Sequence, residues 1–315
     1  LVLAEKLKYL ITGSLVMLAV TLNTAFVTLL VFMLAILKFL APNGRARNAV
    51  THRLSSVGEY WISFNSLMIR LIGSVRWDIS RQDGIRIQSL YLVFCNHQSW
   101  VDILVLQHVL NRRAPFMRFL LKQELIWVPF LGFCWWALDM VFLRRYGKQE
   151  MLKNPELRNK DLENAARACE KLKHIPVAMM TFPEGTRFSA NKKQAQRSPL
   201  QHLLRPRFGG LGQILYSFDD ALDSLIDVTI CYPDGTPDLW QFVSGQVKTI
   251  SVDVRLRPIP DEVRGKNFRQ DVAAKAALRK WMEDIWLEKD GLISANSGTR
   301  ATGIDSSLNN PAIPE

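Results

Sequence analysis

At 315 residues, 48% of them hydrophobic and nine of them Trp, the chain has room for one large catalytic domain plus a membrane-associated segment. Its formal net charge of +11 suits an anionic partner: nucleic acid, anionic lipid headgroups, a phosphorylated substrate or an acidic carrier protein. Cys95, Cys134, Cys169 and Cys231 are scattered, with no C-x-x-C pair and no His at metal-ligand spacing, so neither a disulfide framework nor a metal centre is supported; they read as buried, reduced thiols of a cytosol-facing domain.

From Tyr9 to Leu37 the chain runs 29 positions without a charge. A helix needs about 20 apolar residues to cross the hydrocarbon core, so this run spans a membrane with tilt. It is too long for a signal-peptide core, and no small-residue cleavage pattern follows it. Thr12, Thr21, Asn23, Thr24 and Thr28 soften it, which leaves a re-entrant or half-inserted hairpin open as the alternative. Lys38, Arg45, Arg47 and Arg53 after it outweigh Lys6 and Lys8 before it, placing the bulk of the chain on the cytoplasmic side of an inner membrane. The same apolar run sets nucleic acid aside as a partner. Around 54–73, Val57, Trp61, Phe64, Met68 and Leu71 recur every three or four positions, with Glu59 and Arg70 interrupting. That is an amphipathic helix, lying either in the interface or against the catalytic core.

Beyond residue 75 strands and helices alternate. Apolar runs at Leu90–Cys95, Phe116–Leu121, Met140–Leu143, Val177–Phe182, Leu225–Cys231 and Thr249–Leu256 read as strands. Helical patterns lie near 100–110, 161–174, 211–222 and 268–289. The expected architecture is α/β: a central, mostly parallel or mixed sheet flanked by helices, with an N-terminal membrane-embedded helical segment. The chain divides into a membrane helix and amphipathic helix at 1–74, a catalytic domain at 75–295 and a loose Ser-, Asn-, Gly- and Pro-rich tail at 296–315.

Two stretches carry chemistry. Leu90-Tyr-Leu-Val-Phe-Cys-Asn96-His97-Gln-Ser-Trp-Val-Asp102 is an apolar strand ending in polar residues, with a helix expected to begin at Ser99 as its N-cap. Open α/β sheets place their sites at such a strand end. A carboxylate within a turn of His97 can accept a hydrogen bond from one ring nitrogen and fix the tautomer, leaving the other nitrogen to take a proton. A His-x4-Asp spacing alone is common at helix starts. The second stretch, Val177-Ala-Met-Met-Thr-Phe182-Pro183-Glu184-Gly185-Thr186-Arg187, is again a strand feeding a polar turn, where Pro183 stiffens the exit and Gly185 permits a close backbone approach. Alone, Glu184 and Arg187 would be a surface ion pair worth little. Cys95 lies in the apolar strand and is not taken as a nucleophile.

Together, NHQSWVD and FPEGTR some 80 residues later resemble the glycerolipid acyltransferase family, which includes the 1-acylglycerol-3-phosphate acyltransferases. The resemblance covers roughly 75–260 and extends to Lys122 in the segment Phe119–Gly132 and to Arg145 in Val141-Phe-Leu-Arg-Arg145. Asp139 and Met140 stand where the family often has glycine, and Tyr232-Pro233 replaces its usual proline-valine ending.

The resemblance implies the glycerolipid acyltransferase fold and transfer of an acyl group from acyl-coenzyme A or acyl carrier protein, a co-substrate, to a lysophospholipid hydroxyl, with no cofactor. The thioester is already activated, so a base suffices. His97 is the candidate base and Asp102 its orienter. Arg187 and Arg145 are candidates for the substrate phosphate, since guanidinium forks match it, with Lys122 a third. Glu184 is expected to orient Arg187 or bind an acceptor hydroxyl; Gly185 and Thr186 shape the turn; Asn96 positions His97, donates to the oxyanion or caps the strand. The basic residues between Arg187 and Arg207 suit headgroups, coenzyme A phosphates or a carrier protein. Phe130, Trp135 and Trp136 are candidates for an acyl tunnel. The leading acceptor is 1-acyl-glycerol-3-phosphate, giving phosphatidic acid; glycerol 3-phosphate or another lysophospholipid are the alternatives, and a catalytically silent membrane-surface binding protein is the alternative outside enzymology.

Overall fold

The computed structural model describes residues 2–42, 44–72, 75–143, 166–167, 169–170, 172–268 and 270–298. Helix α1 (Val2–Leu40) is unbroken, so the apolar run does not fold back on itself. The hairpin lies one element later: after α1 the chain reverses into α2 (Arg45–Ile72), which packs along α1. Trp61 donates from Nε1 to Thr24 Oγ1 at 3.0 Å and Asn23 pairs with Asn65, so two of the polar residues that soften α1 face its partner. Thr24 and Thr28 also bond back to the carbonyls four residues earlier, which satisfies their hydroxyls within the helix. One face of the second helix is packed, burying Leu54, Ile62 and Asn65, while Tyr60, Leu67 and Leu71 are exposed.

The sheet domain is built on strands β1 (Arg76–Arg81), β2 (Leu90–Cys95), β3 (Met117–Lys122), β4 (Val141–Leu143), β5 (Val177–Thr181), β6 (Ser224–Cys231) and β7 (Thr249–Arg257). They form one mixed sheet in the order β1-β7-β6-β2-β5-β3-β4, parallel from β6 through β4 and reversed at β7 and β1. The expected α/β sheet stands, as does the long apolar N-terminal helix. The strand β1 was not expected. As an edge strand covered on one face, it buries only part of Trp77 and Ile79, so no apolar run marks it.

Central strands are apolar on both faces because helices cover both. Leu90, Leu92 and Phe94 of β2 point to a core shared with α6 (Gly209–Phe218) and α8 (Val272–Gly298). Tyr91, Val93 and Cys95 point to the opposite core, shared with α3 (Val101–Leu110) and α7 (Leu239–Val243) and reached by Val16 of α1. A Cβ on Gly13 would stand 2.8 Å from the Trp240 ring, so glycine lets α1 dock closely on the sheet domain. Two further short helices are α4 (Leu131–Ala137) and α5 (Ala190–Gln196).

The last helix runs to Gly298, beyond the expected boundary at 295, and the rest of the tail lies outside the described residues. Buried Lys289 anchors this helix, donating to Val228 O at 2.6 Å and pairing with Asp227, which Arg257 also holds at 2.8 Å. Of the helix expected at 161–174, half the positions lie outside the described residues, and the described residues 166–167, 169–170 and 172 are helical; Arg145 lies outside the described residues.

Candidate active site

Because β2, β3, β5 and β6 are parallel, their C-terminal ends share one edge of the sheet, and the residues that follow them converge there. His97 follows β2, Lys122 ends β3, Glu184 follows β5 and Tyr232 follows β6.

His97 Nδ1 lies 2.9 Å from Asp102 Oδ2. The same oxygen accepts the backbone N–H groups of Gln98 at 2.6 Å and Ser99 at 2.8 Å, while Oδ1 accepts the Tyr232 hydroxyl at 2.6 Å. The Asp102 side chain is 1% exposed, and these donors satisfy its buried oxygens. An anionic carboxylate at Nδ1 selects the tautomer with a proton there, leaving Nε2 as the acceptor. The imidazole also stacks on Phe182, the ring centroids 3.9 Å apart and 16° from parallel. Ser99 is not the N-cap: the helix starts after Trp100, and Ser99 Oγ instead accepts the Val101 N–H and donates to Pro237 O. The helix thus begins one residue later than expected, and Asp102 takes the N–H groups of Gln98 and Ser99 that precede it.

The FPEGTR turn grips His97 by its backbone. Glu184 accepts the His97 N–H at 3.0 Å through Oε1 and the Leu204 N–H at 3.0 Å through Oε2, and Phe188 N–H donates to His97 O at 2.7 Å. Glu184 is wholly buried, and burial pushes its carboxyl up to about 7 against the pull of those two backbone donors. This corrects two expectations. Glu184 neither orients Arg187 nor reaches an acceptor hydroxyl; it ties three loops together beneath the imidazole. Asn96 is likewise inaccessible: it is wholly buried, accepting Ile230 N–H and donating to Ile230 O at 2.8 Å each. Its amide extends the β2–β6 ladder by one rung beyond Cys95 and does not face a substrate. Burial pushes the Cys95 thiol well up, in keeping with an inert strand residue.

Outside this frame lies a cavity of about 510 Å³ lined by Lys122, Glu124, Gly185, Thr186, Lys192 and Arg207, among others. Gly185 has φ +72°, and a Cβ there would meet Arg207 Cδ at 3.1 Å, so the turn needs glycine for its backbone and for the arginine laid across it. Lys192 donates from Nζ to Thr186 Oγ1 at 2.8 Å and to Arg187 O at 3.0 Å. The Arg187 guanidinium turns elsewhere, 4.9 Å above the ring of half-exposed Trp100. Of the sequence candidates, Lys122, Gly185 and Thr186 thus meet at one cavity, and Arg187 stands beside it over Trp100.

The acyl tunnel expected at Phe130, Trp135 and Trp136 does not form from those residues: Phe130 and Trp136 are 74% and 54% exposed. Tyr232 and Phe182 were missed as site residues, whereas Arg207 stood among the basic residues expected to meet anionic groups. Tyr232 had one signal, its place directly after a strand that runs parallel to β2, where a proline is usual in the resembling family.

A family model described as Acyltransferase matches residues 76–233. The chain is 25% identical over 227 residues to a Mus musculus protein named 1-acyl-sn-glycerol-3-phosphate acyltransferase epsilon, covering 64% of this chain and 56% of that one. It is 24% identical over 244 residues to 2-acyl-1-lysophosphatidylinositol acyltransferase of Saccharomyces cerevisiae, covering 66% and 61%. The chain therefore spans about three fifths of the length of these relatives. In fold it is similar to the crystal structure of the 1-acyl-sn-glycerophosphate (LPA) acyltransferase PlsC from Thermotoga maritima, with TM-score 0.53, 20% identity and coverage of 92% of this chain and 98% of that one.

Proposed function

The chain belongs to the acyltransferase family, and on that premise we propose that it transfers a fatty acyl group from an acyl thioester to the free hydroxyl of 1-acyl-glycerol-3-phosphate, giving phosphatidic acid. The observation that carries this reading is the His97–Asp102 pair at 2.9 Å, beside a cavity whose lining is basic. Nε2 of His97 takes the proton of the acceptor hydroxyl as its oxygen attacks the thioester carbonyl carbon. The tetrahedral intermediate collapses with loss of the carbon–sulfur bond, and the imidazolium returns the proton to the departing thiolate. Asp102 holds the ring in place and balances the imidazolium charge throughout.

The acceptor phosphate is assigned to Lys122, Lys192 and Arg207, which share the cavity; Arg187, on its Trp100 platform, serves the donor or the rim. Coenzyme A and acyl carrier protein both suit the exposed basic residues of α5 and the turn after it. Helix α1 is long and apolar enough to cross a membrane, which supports attachment to the inner membrane with the catalytic domain in the cytoplasm, where the basic residues after α1 would lie.

An acceptor panel tests the reading. Purified protein given labelled acyl-coenzyme A should acylate 1-acyl-glycerol-3-phosphate faster than lysophosphatidylinositol, other lysophospholipids or glycerol 3-phosphate. Strong preference for glycerol 3-phosphate would overturn the acceptor, and no transfer with any donor would favour a silent membrane-surface protein.

A further inference from the structure

Between β3 and α4 the chain forms a tight 3-10 turn, Gln123–Trp127, that starts at the cavity and ends at the surface. Trp127 is 85% exposed, and it is followed within nine residues by exposed Phe130 and Trp136. Three large aromatics facing water in so short a stretch form a patch that monomeric soluble surfaces rarely tolerate. Phe130 also sits at φ +62°, a conformation costly for a bulky side chain and ordinarily left to Gly or Asn. Strain and exposure fall on the same residue, so neither the backbone nor water accounts for phenylalanine there.

The unit is rigid and already joined to α1. A Cβ on Gly132 would stand 2.0 Å from Ile126 O, so turn and helix are pressed together. Phe133 packs on Phe32 of α1 at 5.6 Å, and Lys38 of α1 pairs with Asp139 at 2.6 Å and donates to Ala137 O, at the end of α4. The neighbouring α1 surface is apolar and open, with Leu29, Met33 and Ile36 exposed. The aromatic patch is thus continuous with the helix face read as membrane-embedded, and Trp is the residue most suited to the water–lipid boundary. Lys122 lies at the other end of the five-residue turn, on the cavity.

Resting on the reading of α1 as a membrane anchor, we propose that Gln123–Ala137 is a second lipid-contact element: Trp127, Phe130 and Trp136 enter the leaflet, and the turn sets the mouth of the basic cavity at headgroup depth. An acceptor lipid then reaches Lys122 by sliding along the leaflet, with its acyl chain never crossing water.

The four native cysteines are buried, so introduced surface cysteines can be labelled selectively. Trp127→Cys, Phe130→Cys, Leu29→Cys and Ile87→Cys variants of the full chain would carry a bimane fluorophore in phosphatidylcholine–phosphatidylglycerol vesicles with brominated acyl chains. Ile87 is exposed in the loop before β2, at the opposite edge of the sheet from His97. The expected result is quenching at 127 and 130 comparable to that at 29 and several-fold above that at 87. Quenching at 29 with labels at 127 and 130 as aqueous as that at 87 would overturn the second contact and leave the anchor standing. No quenching at 29 either would overturn the anchor together with it. Labels at 127 and 130 shielded from both water and bromine would mean a protein partner, and would overturn the proposal as well.

Discussion

The hydroxyl of Tyr232 donates to Oδ1 of Asp102 at 2.6 Å, although 130 residues separate them. The strands β2 and β6 are parallel neighbours, so α3, which carries Asp102 and begins beyond the end of β2, lies at the same sheet edge as Tyr232, the residue that follows β6. Burial and the Asp102 charge push the Tyr232 hydroxyl well up, so it stays a donor at any working pH. The carboxylate thus has one oxygen committed to the imidazole and two backbone N–H groups, and the other held by Tyr232 alone.

Tyr232→Phe keeps the ring and strands that oxygen. An unsatisfied buried acceptor costs about 1–3 kcal/mol. If that loss falls on the transition state, turnover drops by roughly 10- to 100-fold. Steady-state kinetics should show it in kcat with the acceptor KM little changed, because Tyr232 faces Asp102 and not the cavity. Full activity in the variant would mean that Gln98, Ser99 and His97 are enough to hold the carboxylate.

His97→Ala removes the base while its backbone N–H and C=O, which Glu184 and Phe188 hold, remain in place. General-base loss costs about 10²–10⁴-fold. The variant should therefore fold and sediment with vesicles as the parent does, yet lose turnover to that extent. Retained turnover would remove His97 from the chemistry. Asp102→Asn is a harsher change, since its amide nitrogen would face either Tyr232 or the N–H groups of Gln98 and Ser99, and it should lower stability as well as rate.

Much of this was legible in the sequence because period and motif coincide. The strands at 90–95 and 177–181 are almost wholly apolar, and that at 224–231 is apolar but for Ser224, Asp227 and Thr229, because helices bury both their faces, and the polar residues after them mark the site. What stayed hidden depends on direction. No local pattern tells that Glu184 points inward to His97 N–H and Leu204 N–H, while Thr186, two residues later, lines a cavity. Nor does a 315-residue string place Tyr232 beside Asp102 before the strand order is known. Phe130 and Trp136 read as tunnel walls for the same reason: an aromatic cluster suggests burial, and only the fold reveals that it faces out.

Arg207 and Lys192 share the cavity with Lys122, and all three are cations without a carboxylate contact among the described hydrogen bonds and ion pairs. Arg207→Met and Lys192→Met keep the aliphatic stems and remove the charge. Each should raise the KM for a phosphorylated acceptor by about tenfold, the scale of one charge-assisted hydrogen bond of 1.5–3 kcal/mol moderated by an open, solvated cavity. The acyl-donor KM should move less. If instead the donor KM rises and the acceptor KM holds, the cavity belongs to the coenzyme or carrier phosphates.

Glu184 makes folding depend on pH in an unusual direction. Its carboxyl is raised by burial from 4.5 to about 7, so between those values the folded chain binds a proton that the unfolded chain has lost. Stability contributed by this group is therefore present below about pH 4.5, declines as pH rises, and is gone above about 7. Converting the shift gives at most roughly 3 kcal/mol for this near-buried group. Glu184→Gln cannot titrate, and its amide nitrogen opposes one of the two backbone N–H groups the carboxylate accepts, at a pH-independent cost of about 1–3 kcal/mol. The variant should accordingly melt well below the parent at pH 5, and the gap in Tm should narrow by pH 8. Its turnover should fall with the acceptor KM unchanged, since the carboxylate touches the backbone of His97 and not the substrate. Parallel Tm curves across that range would show that Glu184 stays ionised in the folded chain, held by its two N–H donors in spite of burial.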